Sequence, residues 1–131
     1  MMQKLVSALL LVATLLIPWL APAQQNASDL IAVAASDRTA SAPVSSQAGR
    51  SPYFLLFDKQ GRFIEAVSNP YKDAANAGIP TLDFLASKGV KVVVSEGFGS
   101  KIVGEMKSKG MRPVEFKGNA KDAAAKALAS K

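Results

Sequence analysis

Residues 89–110, with the sequence GVKVVVSEGFGSKIVGEMKSKG, hold a strand signal, a glycine-containing turn and a helix signal in succession. The run at 90–94 is almost entirely β-branched, which is typical of a strand covered on both faces in a parallel sheet. Residues 97–100 then lead into an amphipathic helix that ends at Gly110. This order predicts a central strand followed by a crossover helix, the repeating unit of an α/β sheet.

A similar helix-to-strand junction occurs twice in the second half of the chain. Ser87-Lys88-Gly89-Val90-Lys91 is echoed 21 residues later by Ser108-Lys109-Gly110-Met111-Arg112, as expected of successive βα units. The pattern predicts a helix from Pro80 to Lys88 and a strand from Pro113 to Phe116. The expected buried face of that helix comprises Ile79, Leu82, Leu85 and Ala86.

The segment before this repeat contains strand signals and one long loop. Leu30 to Ala35 is a short apolar run, and the pair 53–57 and 63–67 reads as a hairpin. Between them, residues 38–52 are rich in Ser, Ala and Pro and predict a long loop, a common location for functional residues. A last helix is expected from Asn119, which is a favourable N-cap.

The order β-β-β-α-β-α-β-α predicts an α/β fold with a mixed five-stranded sheet. Its second strand is expected to be antiparallel to the rest, because a hairpin precedes the parallel units. Right-handed crossovers place helices on both faces. The prediction is therefore a three-layer, ribonuclease-H-like fold.

The N-terminus has the three parts of a secretion signal: Lys4, an apolar run over 5–17, and the small-residue site Ala21-Pro22-Ala23. Cleavage near Ala23 is expected to release a periplasmic protein. The alternative is a membrane anchor, but the apolar run over 5–20 is shorter than the roughly 20 residues that span a bilayer. No stable membrane anchor is expected after cleavage.

These boundaries divide the chain into a signal peptide at 1–23, a polar tail at 24–29 and a single domain at 30–131. The 131 residues carry 16 Lys and Arg against 10 Asp and Glu, a formal net charge of +6. Positive charge favours anionic partners, although a charged helix surface is often only a solvated face. Nucleic acid is not an expected partner outside the cytoplasm.

The chain contains no Cys and no His. Thiolate and imidazole are the usual protein ligands of soft metals and iron–sulfur clusters, so covalent ligation of such a group is not expected. Nucleophilic triads that need Cys or His are excluded as well. Met106 and Met111 are expected in the core rather than on a metal.

Several stretches resemble the dinitrogenase iron–molybdenum cofactor biosynthesis family, which includes NifX-like proteins and the C-terminal part of NifB. They are Ile31 to Asp37 (IAVAASD), Gly49 to Asp58 (GRSPYFLLFD), Gly89 to Val94 (GVKVVV), Gly97 to Lys101 (GFGSK) and the helix start at Gly118-Asn119. The resemblance covers residues 30–128. It implies the carriage or insertion of anionic, sulfide-bridged metal clusters, which in the family takes place in the cytoplasm.

The resemblance also implies a contact region before the second strand, where the family has a His-Phe-Gly-Arg type of segment. Here it reads Gln47-Ala48-Gly49-Arg50, so Gly49 and Arg50 match. Gln47 stands where the family often has His, and Ala48 replaces the aromatic residue. The motif is half eroded.

A non-covalent site is therefore expected at the carboxyl ends of the strands, where open α/β sheets bind ligands. Its predicted residues are Gln47, Gly49, Arg50, Gly97, Phe98, Gly99, Ser100 and Lys101. The glycines allow close approach of the backbone, Ser100 can cap the helix, and the helix start and Arg50 supply positive charge. The expected cargo is a molybdenum- or iron-sulfide cluster, and no catalysis is expected.

Two other functions stay open at this point. The chain could be a protein-interaction module with a decayed cluster site and a periplasmic partner. It could also be a Mg²⁺-dependent phosphoryl-transfer enzyme of ribonuclease-H-like type, because Asp37 and Glu96 should lie near the ends of neighbouring strands.

Overall fold

The computed structural model of the protein describes residues 29–130, so the predicted signal peptide and most of the polar tail lie outside the described residues. The elements are β1 Leu30–Ala35, β2 Tyr53–Phe57, β3 Phe63–Ser68, α1 Gly78–Ser87, β4 Val90–Ser95, α2 Ser100–Ser108, β5 Arg112–Glu115 and α3 Ala120–Ala129. None of the helices in this range is long and apolar enough to cross a membrane.

The five strands form one mixed sheet in the order β3-β2-β1-β4-β5. β2 is antiparallel to both of its neighbours, with Ala32 opposite Leu56, whereas β1 and β4 are parallel, with Ala32 opposite Val93. β5 continues the parallel part beside β4. The predicted mixed sheet with an antiparallel second strand is confirmed.

The sheet is covered on both faces because alternate residues of β1 point to opposite sides. Ile31 and Val33 pack in one core with the alanines of α3. Ala32 and Ala34 pack in a second core that includes Leu82 of α1. The second core also takes in α2 through Met106, so the predicted three-layer arrangement is confirmed.

The predicted limits of two elements are corrected. α1 begins at Gly78 rather than Pro80. The N–H groups of the first helical turn have no partner within the helix, so a proline, which lacks an N–H, is tolerated at the third position as well as the first. β5 runs from Arg112 to Glu115 instead of 113–116. On α1, Ala86 is exposed and Ile79 only half-buried, while Thr81 takes a buried position.

The long loop between β1 and β2 is tied to the sheet by the main chain of Ser45. Its N–H donates to the Ala34 oxygen at 2.8 Å, and its oxygen accepts from the Glu96 N–H at 2.9 Å. The Ser95 hydroxyl donates to the same oxygen at 3.1 Å. The loop therefore crosses the carboxyl ends of β1 and β4 and forms a wall there.

Candidate functional site

A cleft of about 400 Å³ lies beyond the end of β4, between the long loop and the N-terminal ends of α1 and α2. Seven of the eight predicted site residues line it: Gln47, Gly49, Arg50, Gly97, Phe98, Gly99 and Lys101. The structure thus brings together two predicted segments that are about fifty residues apart in sequence.

Main-chain contacts fix the two segments against each other. Gln47 forms a parallel bridge with Gly97. Ser45 holds the preceding part of the loop on β1 and β4, as described above. The loop that forms the cleft wall is therefore hydrogen-bonded to the carboxyl ends of the inner strands β1 and β4.

Glycines allow the loop, α1 and α2 to approach closely at the base of the cleft. A Cβ atom on Gly49 would lie 2.9 Å from the Cα of Gly78, and a Cβ on Gly78 would lie 2.7 Å from the Cδ1 of Ile102. Both distances are too short for real carbon atoms. At position 49 the neighbour is main chain, so a larger residue there would force the loop and α1 apart, whereas at position 78 the neighbour is the Ile102 side chain, which would have to move.

The positive ends of two helices meet at the cleft. α1 contributes Gly78 and Ile79 from its first turn, and α2 contributes Lys101 and Ile102 from its first turn. Main-chain N–H groups at a helix start carry partial positive charge and lack partners within the helix. The sequence predicted the contribution of α2 but missed that of α1.

Two cationic side chains in the described lining add to the partial positive charge of the helix N-termini. Arg50 and Lys101 both line the cleft, and no Asp or Glu does so among the described residues that form its lining. Arg50 is exposed, and its guanidinium donates through Nη1 to the Lys72 oxygen at 3.0 Å. The cleft therefore favours a negatively charged ligand.

Much of the remaining lining is apolar and comes from Ala48, Ala77, Ile79, Phe98 and Ile102. Phe98 and Ile102 also pack against the core beneath α1 and α2. Apolar walls exclude part of the water around a bound ion, and electrostatic attraction is stronger where water is excluded.

A profile described as dinitrogenase iron-molybdenum cofactor matches residues 29–130, which is the whole described range. The chain belongs to this family. No curated protein sequence matches it at a significant level.

Solved structures support the fold assignment of this family member. The apo form of the orange protein from Desulfovibrio gigas is similar with a TM-score of 0.71 and 22% identity, covering 80% of this chain and 91% of that one. A putative NifB protein from Thermotoga, solved by NMR, is similar with a TM-score of 0.64 and 26% identity, covering 77% and 87%.

Ser100 is the one predicted site residue that does not line the cleft of this family member. It is the first residue of α2 and is exposed, while Gly99 occupies the N-cap position and makes no side-chain cap hydrogen bond. The predicted capping role of Ser100 is therefore wrong. The helix begins one residue too early for its hydroxyl to act as the cap.

Sequence reasoning missed a buried polar cluster behind the cleft. Asn69 is 4% exposed and Thr81 is 1% exposed, and both side chains donate to the Gly49 oxygen at 3.0 Å. The contacts join residues 20 and 32 positions apart, so no local pattern reveals them.

An ion pair braces α1 and α2, the two helices whose N-termini meet at the cleft. Lys109 at the end of α2 lies 2.6 Å from the Asp83 carboxylate on α1 and 3.9 Å from Glu105. Its hydrogen bond to Asp83 raises the pKa of Lys109, which is therefore charged at neutral pH.

The carboxylates considered for a Mg²⁺ site, Asp37 and Glu96, follow the ends of β1 and β4. The main chain of Ser45 bonds to Ala34 of β1 and to Glu96, so the long loop crosses the ends of both strands here. Asp37 is exposed and accepts a hydrogen bond from the neighbouring Arg38 N–H at 2.7 Å. Within residues 29–130, no three His, Cys, Asp or Glu side chains are grouped so that they could hold a metal ion.

Proposed function

We propose that this protein binds an anionic metal species or metallocluster non-covalently in the cleft and carries it without catalysing a reaction. The observation that carries the proposal is the convergence of two helix N-termini with Arg50 and Lys101 in a cleft whose described lining has no acidic residue. Each of these features favours a negative charge in the same place.

The available donors fit an anion better than a directly ligated metal. The sequence contains no Cys and no His, so neither thiolate nor imidazole can reach a metal atom. Guanidinium, ammonium and main-chain N–H groups can donate hydrogen bonds to sulfide or oxygen atoms at the surface of a cluster. The cargo is therefore held by its outer atoms.

A molybdenum- or iron-sulfide cluster is the cargo that we propose. The family description names the iron-molybdenum cofactor. A cleft of about 400 Å³ also has more room than a single tetrahedral anion fills. Its apolar walls suit sulfide, which holds water less strongly than oxide does.

We further propose that the protein acts after export to the periplasm, as the N-terminal sequence indicates. A carrier in that compartment needs a protein that delivers or receives the cargo. The exposed side chains of Phe63 (45%) and Ile64 (43%) lie on the edge strand β3 and offer a contact surface for such a partner. They also support the second candidate function, a protein-interaction module that binds no cluster.

A binding experiment tests the proposal on protein purified after expression of the full chain. Tetrathiomolybdate and molybdate are titrated separately and followed by absorbance and thermal shift. Arg50→Ala and Lys101→Ala should each weaken tetrathiomolybdate binding about tenfold, because each removes a charged hydrogen-bond donor.

Lys107→Ala is the matched control, since Lys107 is an exposed lysine of α2 that does not line the cleft. It should bind like the wild type. Equal weakening by all three substitutions would indicate a general charge effect. Absence of binding by the wild type would favour the interaction module. In a separate titration with Mg²⁺, a response to Mg²⁺ alone that is lost in Asp37→Asn would favour the enzyme.

A further inference from the structure

The side-chain amide of Asn69 lies at the centre of the buried polar cluster behind the cleft. Its Nδ2 donates to the Gly49 oxygen at 3.0 Å, and its Oδ1 accepts from the Tyr71 N–H at 3.0 Å. The Tyr71 N–H can only donate, which fixes the orientation of the amide. Asn69 therefore joins the cleft loop to the segment that follows β3.

Thr81 supports the same carbonyl from α1. Its hydroxyl lies 3.0 Å from the Gly49 oxygen and 3.2 Å from the Asn69 Oδ1, so its one proton is shared between two acceptors. Both side chains are buried. Buried hydrogen bonds of this kind are costly to break because the groups left behind have no water to replace them.

The buried polar cluster is linked to both the main-chain N–H and the guanidinium of Arg50. A trans peptide directs its N–H opposite to its carbonyl, so the two donors on the Gly49 oxygen turn the Arg50 N–H away from the buried cluster. Asn69 also holds the Tyr71 N–H, one residue before Lys72, whose carbonyl accepts from the Arg50 guanidinium at 3.0 Å. One hydrogen-bond network thus orients the main chain at Arg50 and supplies the acceptor for its guanidinium.

We propose that Asn69 and Thr81 are positioning residues, which act on the ligand through Arg50 and do not touch it themselves. This inference rests on the proposed function, since it assigns the residues that shape the same cleft. Neither Asn69 nor Thr81 lines the cleft. Their effect on binding must therefore pass through the Gly49–Arg50 peptide and the guanidinium.

A double-mutant cycle on the full chain tests the inference with tetrathiomolybdate as the probe. Thr81→Val removes the hydroxyl and keeps the shape, and it should weaken binding about fivefold, while Thr81→Ser should restore it. In an Arg50→Ala background, Thr81→Val should cause no further loss, because residues that act through one group are not additive. Additive losses would overturn the inference.

Ser87→Ala is the control on the same helix, because the Ser87 hydroxyl bonds only locally, to the Phe84 oxygen. It should bind like the wild type. If Thr81→Val also bound like the wild type while Arg50→Ala did not, the positioning role would be wrong and the anion site would stand.

A second measurement needs no ligand. The mobility of the Arg50 Nε, followed by ¹⁵N relaxation, should increase in Asn69→Asp, which replaces the Nδ2 donor by an acceptor, and stay unchanged in Ser87→Ala. Unchanged mobility in a folded Asn69→Asp protein would contradict the inference. If the wild type bound no anion but the Arg50 Nε mobility rose in Asn69→Asp, the proposed function would be wrong while the positioning of Arg50 by Asn69 would stand.

Discussion

Gly49 is the residue whose size matters most at the cleft. Its absent Cβ would lie 2.9 Å from the Cα and 3.0 Å from the N of Gly78, and main-chain atoms cannot move aside as a flexible side chain can. We expect Gly49→Ala to lower the free energy of unfolding by about 1–3 kcal/mol, the usual cost of overpacking. Urea denaturation measures this change.

Gly97→Ala is the matched control for this prediction, because the nearest atom to its Cβ would be the Ser46 oxygen at 3.9 Å. Its cost should stay within about 0.5 kcal/mol, the range of substitutions that remove no special feature. Equal costs at the two positions would show that close approach at Gly49 is not the cause.

Asp58, in the turn between β2 and β3, gives the protein a pH-dependent contribution to stability. Its carboxylate accepts hydrogen bonds from the main-chain N–H and the guanidinium of Arg62, both of which lower the pKa of Asp58. A lowered folded-state pKa stabilises the fold above the unfolded-state pKa of about 4, and this stabilisation is lost as pH falls through the lower value.

Asp58→Asn should therefore be less stable than the wild type at neutral pH. The difference should shrink below about pH 4, because the wild-type carboxyl becomes neutral there too. Thermal unfolding of both proteins across this range measures it. A difference that stayed constant with pH would rule out the charge of Asp58 as its source.

At the scale of elements, α2 contains a glycine with no structural reason to be one. Gly104 lies in the helix interior, is exposed, and would have no atom within 4 Å of an added Cβ. Gly104→Ala should raise the free energy of unfolding by up to about 1 kcal/mol, because alanine loses less backbone entropy in a helix.

Gly110, just after the same helix, provides the opposite case. It also has no neighbour within 4 Å, but its φ is +69°, a conformation that suits glycine. Gly110→Ala should lower the free energy of unfolding by about 1 kcal/mol. Guanidinium denaturation should show that the free energy of unfolding rises in Gly104→Ala and falls in Gly110→Ala. Changes of the same sign would contradict the different roles given to the two glycines.

The elements themselves were predictable where local pattern and burial agree. The valines of β4 and the apolar runs of β1 and β2 identify strands, because these segments are buried on both faces and need no polar alternation. The start of α1 was not predictable from Pro80, since proline is compatible with any position in the first turn. Because the predicted helix began at Pro80, the sequence did not indicate that the N-terminus of α1 lies at the cleft.

At the scale of the whole molecule, the topology explains which part of the site the sequence could reveal. β4 lies between β1 and β5, so the Gly97–Lys101 turn emerges at the carboxyl ends of parallel strands, where open α/β sheets place their clefts. The hydrogen bonds of Asn69 and Thr81 to Gly49 depend on three elements folding together. Local sequence patterns carry no record of such contacts.

The absence of Cys and His from the whole sequence leads to a prediction about salt. If charge and main-chain dipoles hold the cargo, tetrathiomolybdate affinity should fall as NaCl rises from about 0.1 M to 1 M, where the screening length shortens from roughly 10 Å to 3 Å. Arg50→Ala should lower the salt dependence as well as the affinity, since it removes one of the two cationic side chains that line the cleft within residues 29–130. Absorbance titrations at several salt concentrations measure both. Iron that stayed bound to the purified protein in 1 M NaCl would contradict the prediction, because attraction between charges alone is too weak at that ionic strength to retain it.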